Sequence, residues 1–236
     1  MKIVLATDVD GTLTEPGSDT IFDFFGLYEK KEESEELYEW SLNAPEKISA
    51  KYGIPLDRVF PSIDVEILLK QIITEQDGVA QSVFEKIGRE ARLAEGAREL
   101  VAEAQGMGAV FFLTCAFEPT ALAIAKRLGV EEENVFCTRL EEHGGKVIGF
   151  KGPVMEAEVK RAALQDICGK TRAPLNRFVG LGDSSSDAPF VKGIIEAGGL
   201  GLVLGGNKKL LEAGAKPVEN PWQALEEVKK FWRGLK

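Results

Sequence analysis

Two aspartates directly follow the first apolar stretch of the chain. Ile3 to Ala6 lack the alternation of a half-solvated strand, so they predict a fully buried strand, and Asp8 and Asp10 come just after it. In an open α/β sheet, ligands bind beyond the carboxyl ends of the strands. Two carboxylates placed there repel each other and favour a cation, and oxygen ligands suit Mg²⁺. A carboxylate beside such a cation can attack phosphorus and form an aspartyl-phosphate. The alternative is that both aspartates only form a turn with Gly11.

Further polar positions follow predicted strands later in the chain. Thr114 comes after the apolar stretch 109–113 and before a predicted helix, where a hydroxyl and backbone N–H groups either bind an anion or cap the helix. Asp183 ends a later strand, as Asp8 does. Asp187 begins the next predicted helix, where a role as N-cap is the alternative. Parallel strands end at one edge of a sheet, so we expect these side chains to meet.

A lysine could complete such a site. The ammonium group is a compact charge that can neutralise both a carboxylate and a phosphate oxygen. Lys160 lies in the predicted helix 155–167, and Lys151 lies just before that helix. The residues alone leave Lys151 open as the alternative to Lys160.

The order of predicted elements indicates the fold class. From about Ser18 to Arg92 the spacing of apolar residues predicts helices and no strand, whereas strands and helices alternate from Leu93 onward. We therefore predict an α/β protein with a doubly wound, mostly parallel sheet and an inserted α-helical block. Residues 1–16 and 93–236 form the predicted core, and residues 17–92 form the predicted helical cap.

Composition excludes several classes of function. The net charge of the 236 residues is −9, which argues against a nucleic-acid partner. No apolar run reaches the length of a membrane span, so we expect no membrane partner.

The three cysteines have no paired spacing, which favours reduced thiols and a cytoplasmic location. The only histidine is His143, in a predicted turn, so a serine triad has no base. No sequence feature indicates an oligomeric state.

Together these segments resemble the haloacid dehalogenase (HAD) superfamily of phosphohydrolases. Residues 8–14 match its Asp-x-Asp-Gly-Thr signature, and Thr114 occupies the position of the hydroxyl in its second motif. Lys160 fits the lysine of the third motif, and residues 182–187 fit the fourth motif, Gly-Asp-x-x-x-Asp. The resemblance implies a Rossmann-like core, with the helical block as a cap of the C1 type.

Within the superfamily, the chain is most similar to the phosphoserine phosphatase branch. The similarity is carried by residues 94–100, before the second strand of the core, and by residues 139–149, after the third. That branch usually has Ser-Gly-Gly where this chain has Thr114-Cys115-Ala116, whose side chains narrow the space beside a phosphate. The cap glutamate and cap arginine of the branch have only poor substitutes here, namely Asp19, Arg58 and Arg89. We therefore expect phosphate-ester cleavage of a small phosphorylated substrate, without a commitment to phosphoserine.

The resemblance also implies roles for the individual residues. Asp8 is the expected nucleophile, and Asp10 is the expected general acid for the leaving group and then the base for water. Mg²⁺ is the expected cofactor, held by Asp8, the backbone carbonyl of Asp10, and Asp183. Asp187 is expected to hold waters or to orient Lys160. The expected phosphate-binding groups, including nearby backbone N–H groups, belong to Gly11, Thr114, Cys115 and Lys160.

Two alternatives to a phosphatase remain open. A phosphomutase would use the same nucleophile and return the phosphoryl group to substrate, although Thr12 after Gly11 favours a phosphatase by resemblance. A catalytically silent phosphate-binding module is supported by the departure at Cys115-Ala116. A dehalogenase would not need Asp10.

Overall fold

Strands and helices alternate through most of the part of the chain that the structure describes. The computed structural model describes residues 2–15, 78–155 and 157–235. The strands are β1 (Ile3–Thr7), β2 (Val79–Ala80), β3 (Gly108–Phe117), β4 (Val135–Thr138), β5 (Leu140–His143), β6 (Lys146–Phe150), β7 (Phe178–Gly182), β8 (Leu200–Leu204) and β9 (Lys216–Val218). The helices are α1 (Gln81–Glu90), α2 (Ala97–Met107), α3 (Glu118–Leu128), α4 (Ala157–Thr171), α5 (Ala188–Glu196), α6 (Lys208–Glu212) and α7 (Pro221–Gly234).

Six strands form one parallel sheet in the order β4-β3-β1-β7-β8-β9. The first strand in the sequence lies near the middle, between β3 and β7. In this register Thr7 is opposite both Phe112 and Leu181. The residues that follow these three, namely Asp8, Leu113 and Gly182, therefore lie at nearly the same level of the sheet. The predicted α/β fold with a mostly parallel sheet is confirmed.

The sheet is covered by helices on both faces. Ile3 and Leu5 of β1 belong to an apolar cluster with residues of α2, α3 and α7. Val4 and Ala6 point to the opposite face, which is covered by α4, α5 and α6. Successive side chains of a strand alternate between faces, so a strand buried on both sides is largely apolar. All five residues of β1 are buried; the first four are the strand predicted from the sequence, and Thr7 extends it by one residue.

A second, antiparallel sheet has the order β2-β6-β5. β5 and β6 pair as a hairpin within this sheet. The prediction of no strand from about Ser18 to Arg92 is wrong, because Val79 and Ala80 pair with Val147 and Lys146. A strand of two residues is too short for its periodicity to be recognised.

The connection to the predicted cap is partly described. Glu15 N donates to Arg92 O at 2.9 Å and Ala94 N donates to Leu13 O at 2.9 Å, so the chain leaves and re-enters the core side by side. Helix α1, assigned to the cap by sequence, packs on α3, where Thr120 Oγ1 donates to Phe84 O at 2.8 Å. The rest of the predicted cap, residues 16–77, lies outside the described residues, and the domain boundary stays a prediction.

Three smaller features were not predicted from the sequence. β3 continues to Phe117 instead of ending at Leu113, and both α6 and β9 were missed because each is short. Pro217 within β9 also weakens its strand signal; it is tolerated because β9 is at the edge of the sheet. Among the helices of the described residues, none combines the length and the apolarity needed to cross a membrane.

Candidate active site

Asp8 lies at the carboxyl end of the central strand. Its N–H donates to Leu181 O at 2.9 Å, which continues the pairing of β1 with β7 by one residue. Its backbone carbonyl accepts from Thr7 Oγ1 at 2.8 Å. The residue is 4% exposed. A carboxylate so deeply buried needs strong partners, because burial without them is costly.

Lys160 supplies that partner from α4. Its Nζ donates to Asp8 Oδ1 at 2.7 Å and to Asp187 Oδ1 at 2.6 Å, and the residue is 1% exposed. Burial by itself would lower the pKa of Lys160, but the carboxylates of Asp187 and Asp8 outweigh burial and raise it. Lys160 is therefore a fixed cation between two carboxylates. Lys151, the alternative from sequence, is exposed.

Asp183 follows β7 and lies beside the turn after β1. Its Oδ1 accepts from Thr12 Oγ1 at 2.9 Å. A Cβ on Gly11 would lie 2.5 Å from Asp183 Oδ2, and Gly11 has a φ of +71°, so only glycine suits this position. The N–H of Gly11 donates to Thr14 Oγ1 at 3.0 Å. Gly11 is thus required for the backbone conformation of this turn. Its N–H already donates to Thr14, and this hydrogen bond competes with the predicted donation from Gly11 N–H to a phosphate.

Asp187 organises the loop that carries Asp183. Its Oδ2 accepts from the N–H groups of Asp183 and Ser184 at 3.1 and 3.0 Å and from Ser184 Oγ at 3.1 Å. It precedes α5, yet its side chain makes no capping hydrogen bond to that helix. Asp187 is therefore the N-cap residue of α5 by position, but its carboxylate does not cap that helix. Asp187 instead joins the loop to Lys160, which matches the orienting role that the resemblance implied.

Thr114 and Cys115 lie in the last part of β3. Thr114 is fully buried, and its Oγ1 accepts from Ala116 N at 3.1 Å. The N-cap alternative for Thr114 is wrong, because α3 begins at Glu118 with Phe117 as its N-cap residue. Cys115 is half-buried, and its Sγ donates to Met155 O at 3.1 Å. The predicted phosphate-binding roles of these residues stay predictions.

Three carboxylates meet at this edge of the sheet. Asp8, Asp183 and Asp187 each offer an oxygen, and these oxygens lie within 4.8 Å of one another. Burial raises the pKa of Asp8 well above its usual range, and the ammonium of Lys160 opposes this increase. Burial, with a smaller contribution from Asp187, raises the pKa of Asp183 to about 6. One ammonium does not balance the two buried carboxylates of Asp8 and Asp187 and the partly buried carboxylate of Asp183, so this group of residues fits a divalent cation.

Asp10 is half-buried in the turn that follows Asp8. Its side chain is not one of the three that converge. The predicted ligand from this residue is its backbone carbonyl, so that prediction stays open, as does its role as acid and base.

Thr12 is a functional candidate to which the sequence analysis gave no role in the site. It is fully buried and bonds Asp183 directly. The residue was visible within the Asp-x-Asp-Gly-Thr segment, but only the folded chain brings it to a carboxylate 171 positions away.

The close packing of Gly182 against Asp187 leads to a stability prediction. A Cβ on Gly182 would lie 2.5 Å from Asp187 Cβ and 2.6 Å from its Oδ2. We expect Gly182→Ala to destabilise the fold by about 1–3 kcal/mol, since overpacking displaces the buried carboxylate. Thermal unfolding followed by circular dichroism measures this.

Gly169→Ala is the matched control. Gly169 is inside α4, and no described atom apart from its own helix and chain neighbours lies within 4 Å of its Cβ position. This variant should be neutral or gain up to about 1 kcal/mol from helix propensity. Equal melting temperatures for the two variants would contradict the assigned packing.

Comparison with known proteins agrees with this architecture. The sequence model of the haloacid dehalogenase-like hydrolase family matches residues 5–192, which is more than half of the chain. The chain therefore belongs to the haloacid dehalogenase-like hydrolase family. The resemblance noted from the motifs is confirmed at this level.

Individual relatives point to one branch. The chain is 28% identical over 132 residues to a phosphoserine phosphatase of Streptococcus thermophilus. The aligned region covers 55% of this chain and 60% of the relative. The chain thus spans less than two thirds of the length of this relative.

Two solved structures of phosphoserine phosphatases are similar in fold. The structure of a substrate-bound phosphoserine phosphatase complex is 21% identical in sequence to this chain, with a TM-score of 0.69, and the superposition covers 98% of each of the two chains. A phospho-aspartyl intermediate analogue of phosphoserine phosphatase has 22% identity and a TM-score of 0.68, again with 98% of both chains covered.

Proposed function

We propose that this protein is a Mg²⁺-dependent phosphatase that hydrolyses a small phosphorylated metabolite through an aspartyl-phosphate on Asp8. The observation that carries the proposal is the buried cluster in which Lys160 bonds both Asp8 and Asp187 while Asp183 lies beside them. Such a cluster is costly to bury and fits a site that manages the charge of a phosphate.

In the first half of the reaction, an oxygen of Asp8 attacks phosphorus in line with the leaving oxygen. A bond forms between Asp8 and phosphorus, and the bond between phosphorus and the ester oxygen breaks. Asp10 gives its proton to the departing alkoxide, which leaves as the alcohol. The position of Asp10 two residues after Asp8 supports this role, because Asp10 lies in the turn that follows Asp8.

In the second half, water attacks the phosphorus of the aspartyl-phosphate. Asp10, now a carboxylate, takes a proton from that water, and the bond between Asp8 and phosphorus breaks. Inorganic phosphate leaves, and Asp8 and Asp10 return to their starting states. The aspartyl-phosphate of the proposal is supported by the fold shared with the phospho-aspartyl intermediate analogue.

Lys160 and β3 would stabilise the transferring group. The raised pKa of Lys160 keeps it charged, and it is already in contact with Asp8, so its charge lies where negative charge develops. The hydroxyl of Thr114 and the backbone N–H of Cys115 are the proposed neutral donors. Lys160 bonds two carboxylates in this arrangement, which fixes its position before substrate binds.

The proposed metal ligands are Asp8, Asp183 and the backbone carbonyl of Asp10. Asp187 is less suited, because Lys160 occupies its Oδ1 and three donors from Asp183 and Ser184 occupy its Oδ2. Bound Mg²⁺ supplies positive charge that reduces the repulsion between Asp8 and the phosphate.

The proposed substrate class rests on the relatives rather than on the geometry of the site. The relatives named above are phosphoserine phosphatases, which makes phosphoserine one candidate among small phosphorylated metabolites. Of the three cap residues considered as substrate contacts, Asp19 and Arg58 lie outside the described residues. Arg89 pairs with Glu85 at 3.2 Å on the exposed face of α1.

Phosphate release measured with and without Mg²⁺ tests the proposal. After treatment with EDTA and removal of the chelator, we expect turnover of an aryl phosphate to fall to background and to return when Mg²⁺ is added. Metal removal should have this effect because the buried carboxylates then repel the phosphate. A screen of small phosphorylated metabolites, phosphoserine included, then identifies the leaving group.

The same assay separates the alternatives. Phosphate binding without release would indicate the silent binding module. Transfer of the phosphoryl group to a second position of a sugar phosphate, with little free phosphate, would indicate the phosphomutase. Full turnover in EDTA would contradict the proposed role of the metal.

A further inference from the structure

Thr138 is a buried residue at the end of β4 that belongs to none of the motifs. It is fully buried. Its Oγ1 donates to Cys115 O at 2.7 Å and accepts from Met155 N at 3.1 Å. A single hydroxyl therefore joins the end of β3 to the segment that precedes α4.

A second contact closes the same connection. Cys115 Sγ donates to Met155 O at 3.1 Å, so both backbone groups of Met155 are held. We call Thr138, Cys115 and Met155 the β3–α4 tie. The tie holds the chain at Met155 against the strand that carries Thr114.

The position of Met155 connects the tie to the active site. Met155 lies five residues before Lys160, and Lys160 is the fourth residue of α4. Ala157, the first residue of this helix, has a φ of +35°, a conformation that residues other than glycine adopt at a cost. Such a conformation persists when its surroundings hold it, and the β3–α4 tie is an anchor just before it.

We propose that Thr138 is a positioning residue for Lys160, which it places between Asp8 and Asp187 through the β3–α4 tie. This inference rests on the proposed function. Without the hydroxyl, Cys115 O and Met155 N lose a buried partner, and the start of α4 shifts to satisfy them. The ammonium of Lys160 then moves away from the carboxylates that it bonds at 2.7 and 2.6 Å.

The test compares three variants in the Mg²⁺-loaded enzyme with an aryl phosphate. Thr138→Val removes the hydroxyl and keeps the shape, and we expect kcat to fall about 10- to 100-fold with a smaller change in KM, since misplacement by about 1 Å costs this much. Thr138→Ser restores the hydroxyl and should recover most of the lost kcat. If the added methyl of valine does not fit and the protein fails to fold, Thr138→Ala removes the same hydroxyl without adding carbon.

Thr120→Val is the matched control. Thr120, on α3, is also buried, and its hydroxyl donates to Phe84 O of α1 at 2.8 Å instead of to a group of the β3–α4 tie. This variant should lower the melting temperature about as much as Thr138→Val while it keeps the wild-type kcat. Wild-type kcat in Thr138→Val, an equal loss of kcat in Thr120→Val, or no recovery in Thr138→Ser would each overturn the proposal.

A crystal structure of Thr138→Val separates this inference from the proposed function. We expect Lys160 Nζ to lie beyond hydrogen-bond reach, about 3.5 Å, of at least one of Asp8 and Asp187. Both contacts at their original lengths would overturn the positioning role. If the wild type releases no phosphate, the proposed function fails, but this structural comparison still decides the role of Thr138.

Discussion

Asp8→Asn is expected to abolish hydrolysis of an aryl phosphate, with a loss on the order of 10⁴–10⁶ in kcat. Asparagine has nearly the same shape, but its amide cannot form the aspartyl-phosphate. Asp8 is 4% exposed and follows the central strand β1, where Lys160 bonds its carboxylate. Release of inorganic phosphate measures the loss, and mass spectrometry of the acid-quenched protein tests for a phosphorylated residue.

The same variant should not be less stable than the wild type in metal-free buffer. Burial raises the pKa of Asp8 above its unfolded value, so the ionised carboxylate lowers folding stability as pH rises toward neutrality. A neutral amide removes that charge, and Lys160 keeps Asp187 as a partner. The combination of lost turnover and unchanged or raised melting temperature distinguishes lost chemistry from a lost fold.

Asp166→Asn is the control for this substitution. Asp166 lies on the exposed surface of α4, so this variant makes the same substitution of an aspartate by an asparagine away from the site. We expect wild-type turnover from it. Turnover near wild type in Asp8→Asn would contradict the mechanism at its first step.

Lys160→Met is expected to reduce both turnover and stability. Loss of the ammonium leaves Asp8 and Asp187 buried without their cation, which costs about 3–5 kcal/mol in comparable buried pairs. For a chain of this size, that corresponds to a melting temperature lower by at least about 6 °C. Loss of one charge-stabilising donor should also lower kcat by about 10²–10³.

Lys151→Met provides the matched comparison, since Lys151 is the alternative that the sequence left open. Lys151 is exposed, and we expect neither kcat nor the melting temperature to change in its variant. The reverse pattern, with loss in Lys151→Met and normal behaviour in Lys160→Met, would mean that the wrong lysine has been placed in the site.

Much of the sheet could be predicted because buried parallel strands must be apolar. Ile3–Ala6 and the stretches around residues 110 and 180 carry no polar side chain that would suggest a solvated face, and all three became neighbouring strands. Where β2 is two residues long, no periodicity exists to detect. β3 exceeded its prediction because Thr114 was interpreted as the end of a strand, whereas the pairing with β4 continues to Phe117.

The sequence contains a further signal that distinguishes Lys160 from Lys151 as the lysine of the site. Lys160 shares the buried side of α4 with Ala163, Leu164 and Ile167, which is the spacing i, i+3, i+4 and i+7. A lysine on an apolar stripe needs a buried acidic partner, and that would have favoured Lys160 over Lys151 without the family resemblance.

The sequence by itself determined which residue types end the central strands, because the strand pattern and the turn residues are local properties of the chain. Only the tertiary structure decided that Lys160 lies between Asp8 and Asp187, that Thr12 bonds Asp183, and that Thr138 holds Met155. These contacts join segments far apart in sequence, and their geometry depends on how helices pack on the sheet. Packing of that kind is set by the whole core and has no signature in any one stretch of residues.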